Sequence, residues 1–287
     1  MTALTPVLLC ITIFATTIQS VFKKKVNAKF NGCEFSISTL ITLFALVSFL
    51  IVSDLSLFTS ELLPYCLILS VCYATAAVTC VLAIGCGSLA LTNLALAYSK
   101  AIPIFYSITF GTATLNTFQI CGLICLGASM IFTYYKRDGG GVGITMKWLI
   151  YAVLLFLSNG MCGVVMQARQ DKFGTSTDGA FMVVSLIFAT SFLLIAAIIR
   201  EKKGVLRVAK SGIHWCAMCG ASNGVANFFG LKCLSIMNRA VYYPITSAGD
   251  LILTFVFSVV LFKEKLKKNQ VVGFIFGIIS MILINIK

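Results

Sequence analysis

Residues 241–285, VYYPITSAGDLILTFVFSVVLFKEKLKKNQVVGFIFGIISMILIN, form two apolar runs joined by a short basic turn. The runs cover residues 240–262 and 269–286. A helix of roughly 20 apolar residues is long enough to cross the hydrocarbon core of a bilayer, which is about 30 Å thick. We therefore predict two consecutive membrane spans with a tight turn between them.

The same pattern extends over the whole chain. Of its 287 residues, 59% are hydrophobic and 11% are charged, and the mean hydropathy is +1.01. An ordinary domain of this size and composition would not stay soluble, so the sequence indicates an all-α membrane protein. Ten transmembrane helices are predicted, at residues 3–21, 35–53, 62–86, 89–111, 116–135, 148–168, 179–199, 211–231, 240–262 and 269–286.

The basic residues are concentrated at the ends of alternate spans. The formal net charge is +13, but Lys and Arg lie in short loops rather than along a folded basic face, so we expect no nucleic-acid partner. The odd-numbered connections hold most of them, for example Lys23, Lys24 and Lys25 after the first span and Lys202 and Lys203 after the seventh. Because basic loops stay in the cytoplasm, this pattern predicts cytoplasmic odd loops and both termini outside.

The second group of five spans echoes the first. With a shift of 151 residues, Gly122 aligns with Gly273, and other matches follow in chain order. The loop-charge bias also changes sign between the halves. A repeat with an odd number of crossings enters the membrane upside down relative to its copy, so we predict two inverted five-helix repeats. The predicted divisions are residues 1–138 for the first repeat, 139–146 for a Gly-rich linker and 147–287 for the second repeat.

The cysteines and the single histidine do not favour a metal or redox centre. Nearly all of the 12 cysteines lie in apolar spans, where Cys behaves as a small hydrophobe. His214, Cys216 and Cys219 form an H-x-C-x-x-C string, for which packing is favoured over metal binding because the sequence has no second ligand cluster. The sequence also lacks a phosphate-binding loop of the G-x-x-x-x-G-K-[ST] type. We expect no cofactor.

The end of the chain resembles that of a known family. A span with a proline near its start, a basic turn containing Glu264, and then Gln270 and Gly273 opening a short last span are similar to the ending of ten-helix EamA-type members of the drug/metabolite transporter superfamily. Residues 89–135 carry the same outline, except that Ala113 stands at the position equivalent to Glu264. The resemblance implies a ten-helix transporter. Members are usually drawn with cytoplasmic termini, which is opposite to the orientation predicted from the loop charges.

Two ionisable residues fall near the middle of predicted spans. Lys100 is central in the fourth span and Asp250 in the ninth, and the shift of 151 places them one position apart at matching depth. Ionisable groups at this depth cost about 2.5–3.5 kcal/mol on insertion scales and indicate function by default. We predict that Lys100 holds an anionic group of a substrate, and that Asp250 pairs with Lys100 in the empty site or takes up a coupling proton. The alternative is a permanent ion pair that joins the two halves.

Polar residues at helical spacing are predicted to share the faces of Lys100 and Asp250 or to line the same cavity from other spans. The alternative for each is a hydrogen bond between helices, worth about 0.6 kcal/mol. These candidate substrate-binding residues are Asn93, Tyr243, Thr246, Ser247, Asn223, Asn227, Thr75, Gln19 and Asn159.

These observations predict a secondary active transporter in the plasma (inner) membrane. Its substrate would be a small metabolite or amphipathic compound, with Lys100 favouring an anionic or amino-acid-like one, moved by alternating access and with protons as a candidate coupling ion. The alternatives are a multidrug-type exporter of lipophilic compounds and, with less support, a polytopic membrane enzyme. An enzyme is disfavoured because one histidine and nine acids, mostly in loops, supply no catalytic cluster. The expected partners are a small-molecule substrate and membrane lipid, with a homodimer as a further option.

Overall fold

The computed structural model describes residues 4–110, 145–237, 239–264 and 268–284, together with short pieces at 117–118, 121–122, 124–125 and 128. Over these residues the secondary structure is helical, and it contains no strand. Two short 3₁₀ helices, Leu55–Leu57 and Ser60–Leu62, precede the third long helix. The α-helices are α1 Leu4–Lys29, α2 Glu34–Val52, α3 Leu63–Cys86, α4 Leu89–Ser99, α5 Ala101–Phe110, α6 Met146–Phe173, α7 Asp178–Glu201, α8 Gly204–Ile236, α9 Arg239–Phe262 and α10 Lys268–Ile284.

Every predicted span except the fifth coincides with helix. The fifth, at residues 116–135, lies outside the described residues apart from the short pieces between 117 and 128. The predicted linker at 139–146 likewise lies outside them up to residue 144. Within the described chain, six helices are long and apolar enough to cross a bilayer, namely α1, α2, α3, α6, α7 and the part of α9 from Ile245 to Phe262. The described part of the chain is therefore all helical, with six helices of the length and composition found in integral membrane proteins.

Several helices begin and end at residues whose side chains suit those positions. Ser88 and Thr145 accept hydrogen bonds from Leu91 N and Trp148 N, which caps the first turns of α4 and α6. Gly174, at φ +72°, ends α6 in a conformation that favours glycine.

The predicted fourth span is divided into two shorter helices. Lys100 lies between α4 and α5, and its N–H donates to the carbonyl of Ala97 at 3.2 Å. This hydrogen bond to the residue three positions earlier marks a tighter turn at the position of Lys100.

The helix pairs occur in matched sets. Helix α1 packs antiparallel to α8, since Lys29 Nζ donates to the carbonyl of Ser211 at 3.1 Å and the Cys219 thiol to that of Gln19 at 3.3 Å. Helix α3 packs antiparallel to α6 in the same manner. Its C-terminal end lies beside Trp148, and its N-terminal end places Tyr65 against Phe173, with 5.9 Å between ring centroids.

Parallel neighbours repeat this correspondence. Helix α1 runs parallel to α9 along a line of contacts from Thr16 with Asp250 to Lys24 with Glu264. Helix α6 runs parallel to α4 and α5, from Trp148 beside Thr92 to Gly163 beside Pro103. Helix α4 crosses α9 antiparallel, and α2 crosses α7 antiparallel. It follows that α6 runs in the opposite direction to α1.

Small residues allow the closest helix contacts. A Cβ at Gly220 of α8 would lie 2.5 Å from the carbonyl oxygen of Ile41, and one at Gly224 would lie 2.5 Å from Ser48 Cβ. The two glycines therefore let α8 approach the backbone of α2, as small residues do at helix interfaces in membranes.

The described parts of the first, third, seventh and ninth connections meet at one end of the molecule, which we call the basic end. Glu201 at the end of α7 accepts hydrogen bonds from Phe35 N and Ser36 N at 2.7 and 2.9 Å, so it caps α2 across the interface. Glu264 accepts from Leu89 N at 2.9 Å at the same end. Lys24, Lys29 and Lys203 lie at this end, while the orientation of the protein in the bilayer stays a prediction from the loop charges.

Candidate functional site

A central cavity of about 290 Å³ lies between helices from both halves of the chain. Its walls come from α1 to α6, α8 and α9. The volume falls at the lower end of the range for small-molecule sites, about 300–1000 Å³, so the space suits a small compound.

Lys100 and Asp250 meet at this cavity. The Lys100 Nζ lies 3.4 Å from Asp250 Oδ2, and the two side chains are 24% and 18% exposed. Asp250 Oδ1 also accepts a hydrogen bond from the Thr16 hydroxyl. Gly249 lets α1 approach at this point, because a Cβ there would lie 2.6 Å from Ile13. The carboxylate is thus held by one cation and one hydroxyl, on two different helices.

The Thr16 hydroxyl has two alternative acceptors besides the carboxylate. It lies 2.9 Å from the carbonyl of Ile13 and 3.1 Å from that of Thr12. A hydroxyl carries a single proton, so Thr16 donates either to Asp250 or to its own helix. A change in the charge or position of Asp250 therefore alters the hydrogen bonding of α1.

Asn93 joins three helices on the side of the cavity nearer the basic end. Its Nδ2 lies 2.8 Å from Thr254 Oγ1 on α9 and 3.1 Å from Ser20 Oγ on α1. These bonds satisfy a buried amide. Asn93 is thus both a lining residue and a connection between α1, α4 and α9.

Asn159 connects α6 to the end of α4 through a polar contact. The Asn159 Nδ2 donates to Ser99 Oγ at 2.6 Å, and the 151-residue shift relates Ser99 to Asp250. Helix α6 therefore contacts α4 through a polar pair where α1 contacts α9 through a polar pair.

A third polar group lies on α3 and α8. Asn223 Nδ2 donates to the Tyr73 hydroxyl oxygen at 2.5 Å, and Asn227 Nδ2 donates to the Asn223 carbonyl at 2.9 Å. With the amide oriented in this way, the Tyr73 hydroxyl keeps its own proton for another acceptor.

The structure brings most of the predicted binding residues to the cavity. Ser247 is instead fully buried and does not line it. Thr75 is exposed on α3, where its hydroxyl donates to the carbonyl of Val71 at 2.8 Å. Tyr243 lies in α9, but its side chain lies outside the described residues. The predicted residues that do line the cavity are Gln19, Asn93, Lys100, Asn159, Asn223, Asn227, Thr246 and Asp250.

Two of the lining residues that the sequence interpretation missed are chemically notable, Lys23 and Tyr73. Lys23 was assigned to the loop after the first span, but α1 continues to Lys29 and Lys23 lines the cavity. Tyr73 lines it from α3. The signal for Lys23 was its helical spacing, since it follows Thr16 by seven residues and Gln19 by four and so shares their face.

Lys24 and Glu264 form a second ion pair at the basic end. Glu264 also accepts from the Ser258 hydroxyl and from Leu89 N. Partial burial opposes ionisation of this carboxyl, but the hydrogen bonds from Lys24, Ser258 and Leu89 outweigh it and lower the pKa of Glu264. The cluster connects the ends of α1 and α9 to the start of α4.

The described residues contain no group of three His, Cys, Asp or Glu side chains placed to hold a metal ion. The string predicted to pack does so in part, since Cys216 and Cys219 are buried free thiols. The His214 ring lies 4.9 Å from that of Trp215.

Comparison with known proteins identifies the second half of the chain. Residues 146–286 match the model of the EamA-like transporter family. No curated protein sequence matches the chain. The family match agrees with the apolar helices and with the resemblance noted at the end of the sequence. The second half of the chain is therefore similar to the EamA-like transporter family, part of the drug/metabolite transporter superfamily, whose members are membrane transporters of small compounds.

Proposed function

We propose that the protein is a secondary transporter that moves a small metabolite across the plasma membrane by alternating access around the central cavity. The observation that carries this proposal is the Lys100–Asp250 pair, which joins the two halves of the chain at the cavity wall. A partly buried ion pair at an interface between halves is a contact that substrate can break and re-form as the halves move.

We further propose that residues 1–138 and 147–287 are inverted repeats. The support is that helix pairs in one half have counterparts in the other. The contact of α1 with α8 corresponds to that of α6 with α3, and the contact of α1 with α9 corresponds to that of α6 with α4. The opposite directions of α1 and α6 also agree with inversion. In such a scaffold, rocking of one half against the other exposes a central site to each side in turn.

In the proposed cycle, Asp250 has two roles. In the empty site it neutralises Lys100, which lowers the cost of holding a charge inside the membrane. When substrate or a proton replaces one of these partners, the contact between α4 and α9 weakens. The Thr16 hydroxyl can then donate its hydrogen bond to the carbonyl of Ile13 in α1 instead of to Asp250. The ion pair thus couples site occupancy to the packing of three helices.

The Lys24–Glu264 cluster would act as the closure at the basic end. It ties α1, α4 and α9 together beyond the Asn93 side of the cavity. In this proposal, opening toward the basic end requires these contacts to break.

Uptake and efflux in proteoliposomes test the proposed function. The full-length protein is assayed with a panel of radiolabelled amino acids, carboxylates and amphipathic compounds, with and without a proton gradient. We expect saturable flux of at least one compound and its loss in D250N. Failure of every compound to move faster than in empty liposomes would overturn the proposal. Flux in D250N with unchanged pH dependence would remove the coupling role of Asp250.

Export of lipophilic compounds is the second candidate function. Met166, Leu231 and Leu234 line the cavity beside its polar groups, which favours a cargo with an apolar part. The same panel separates the two functions, because an exporter of lipophilic compounds would move neutral amphipathic compounds in preference to metabolites.

A further inference from the structure

Lys23 places a second cation in the cavity, on the part of α1 nearer the basic end. Its Nζ lies 3.5 Å from the Cys80 thiol, and it interacts electrostatically with Cys80, Cys219 and Tyr73. Within the described part of the chain, no carboxylate oxygen lies within 4 Å of this ammonium group. Lys23 thus differs from Lys24 and Lys100, which both have an acidic partner.

The hydrogen bonding of Lys23 is unbalanced. An ammonium group has three donors, and a thiol is a weak acceptor. Holding such a cation at membrane depth is costly unless an anion or strong acceptors compensate it. A ligand carboxylate supplies both the charge and the acceptors that the surrounding side chains do not.

The charge of the cavity also favours an anion. Its described lining contains three fully charged side chains, Lys23, Lys100 and Asp250. Lys100 and Asp250 neutralise each other, so the net charge of +1 belongs to Lys23. An anion bound at Lys23 therefore leaves the Lys100–Asp250 pair intact on arrival.

Neutral groups beside Lys23 complete a carboxylate site. The Tyr73 hydroxyl accepts from Asn223 and has its own proton to donate. A carboxylate has two oxygens and can accept from an ammonium and a phenol together. Ser38 and Thr42 of α2 contribute hydroxyls to the same cavity.

The distance along α1 sets the size of the ligand. Lys23 follows Thr16, which contacts Asp250, by seven residues, or about 10 Å of helix rise. A carboxylate at Lys23 therefore needs a body several bonds long to reach the Lys100–Asp250 pair.

We propose that Lys23, with Tyr73, is the anion-binding subsite of the cavity, and that the ligand is a small organic monocarboxylate whose body extends toward Lys100 and Asp250. This inference rests on the proposed transport function and names its substrate class. It also moves the anion contact from Lys100, where the sequence placed it, to Lys23.

Ligand-dependent thermal unfolding of the purified full-length protein tests this subsite without requiring transport. The probes are benzoate, lactate and N-acetylleucine, each compared with its neutral amide. A compound that binds the folded state raises the unfolding midpoint. We expect at least one carboxylate to stabilise the wild type more than its amide, and K23Q to raise the dissociation constant of that carboxylate about tenfold or more.

Three further variants separate binding from folding. K23R keeps the charge and should retain most of the preference for the carboxylate. Y73F should weaken carboxylate binding about threefold to tenfold. K25Q is the matched control, because Lys25 is exposed on the same helix and lies over the Trp215 ring at 5.3 Å instead of in the cavity.

Each outcome decides the inference. Equal stabilisation by acids and amides in all three pairs, or an undiminished carboxylate effect in K23Q, would overturn it. A wild type that transports neutral compounds without any carboxylate preference would overturn this inference and leave the proposed transport function standing. A protein that binds carboxylates through Lys23 but moves no compound would support the subsite and overturn transport.

Discussion

Lys100 and Asp250 lie 150 residues apart in the chain, yet their side chains meet at the cavity with 3.4 Å between Nζ and Oδ2. Each residue comes from a different half of the protein. Any relative movement of α4 and α9 at this level must lengthen or rotate this contact. The ion pair is therefore the point at which chemistry in the cavity and packing between the halves are connected.

Two variants of the Lys100–Asp250 pair distinguish a role in transport from a role in stability. D250N leaves Lys100 without its anion and should lower the free energy of unfolding by about 2 kcal/mol, less than for a fully buried pair because both side chains are partly exposed. The double variant K100Q/D250N removes both charges and should recover stability but not transport. Thermal unfolding and proteoliposome flux measure the two effects. Full transport by the double variant would mean that the pair is structural only.

Breaking the Lys24–Glu264 pair should open the basic end. In K24M, α1 loses its ionic connection to Glu264 and the cation over the Phe262 ring, which lies 4.5 Å away. We expect the Cys80 thiol, which lines the cavity, to react several-fold faster with a membrane-impermeant maleimide added from that side. Site-resolved mass spectrometry measures the rate, and K25Q is the control. An unchanged rate would argue against this cluster as the closure.

Acidification should weaken the same cluster. The pKa of Glu264 is lowered in the folded protein, so the folded state binds its proton less readily than the unfolded chain. The resulting stabilisation is complete above the ordinary glutamate pKa, about 4.3, and is lost as the pH falls through the lower folded value.

E264Q tests this pH dependence. The wild type should lose unfolding free energy relative to E264Q as the pH falls below about 4.5. Parallel thermal unfolding of both proteins between about pH 3 and 7 measures the difference. A difference that stays constant over this range would contradict the assigned ionisation of Glu264.

Enlarging Gly220 should separate α8 from α2. A Cβ at this position would lie 2.5 Å from the backbone oxygen of Ile41, and backbone atoms cannot rotate away as a side chain can. G220V should therefore lower the free energy of unfolding by about 2 kcal/mol. The neighbouring exposed Ala221 provides the control, since A221V faces the outside of the same helix. Equal unfolding midpoints for the two variants would show that this close approach does not limit packing.

Residues 241–285 illustrate what apolar patterning can predict. The runs on either side of the turn become α9 and α10 because a helix is the way an isolated segment satisfies its backbone within a bilayer. The depths of Lys100 and Asp250 followed from counting positions along such helices. Their contact could be predicted because the two residues lie at the same depth in equivalent helices. They meet if each helix is rotated about its own axis so that the side chain faces the other helix.

Other assignments depended on information that patterning lacks. Thr75 and Thr79 have similar sequence surroundings, but only the packing of α3 determines that Thr75 is exposed and Thr79 buried. Lys23 was placed in a loop because lysine is normally excluded from a span. In the structure α1 continues to Lys29, and Lys23 is tolerated within it because its side chain faces the cavity instead of lipid.

Apolar patterning was enough to predict the membrane class and the approximate positions of the described helices, because hydrophobicity acts on each segment separately and needs no neighbour. Which cations have acidic partners depends instead on how the helices pack. Lys24 has Glu264, Lys100 has Asp250, and Lys23 lies in the cavity without a carboxylate partner among the described residues. These pairings depend on helix rotation and close approach at small residues, which are set by the packing of distant segments.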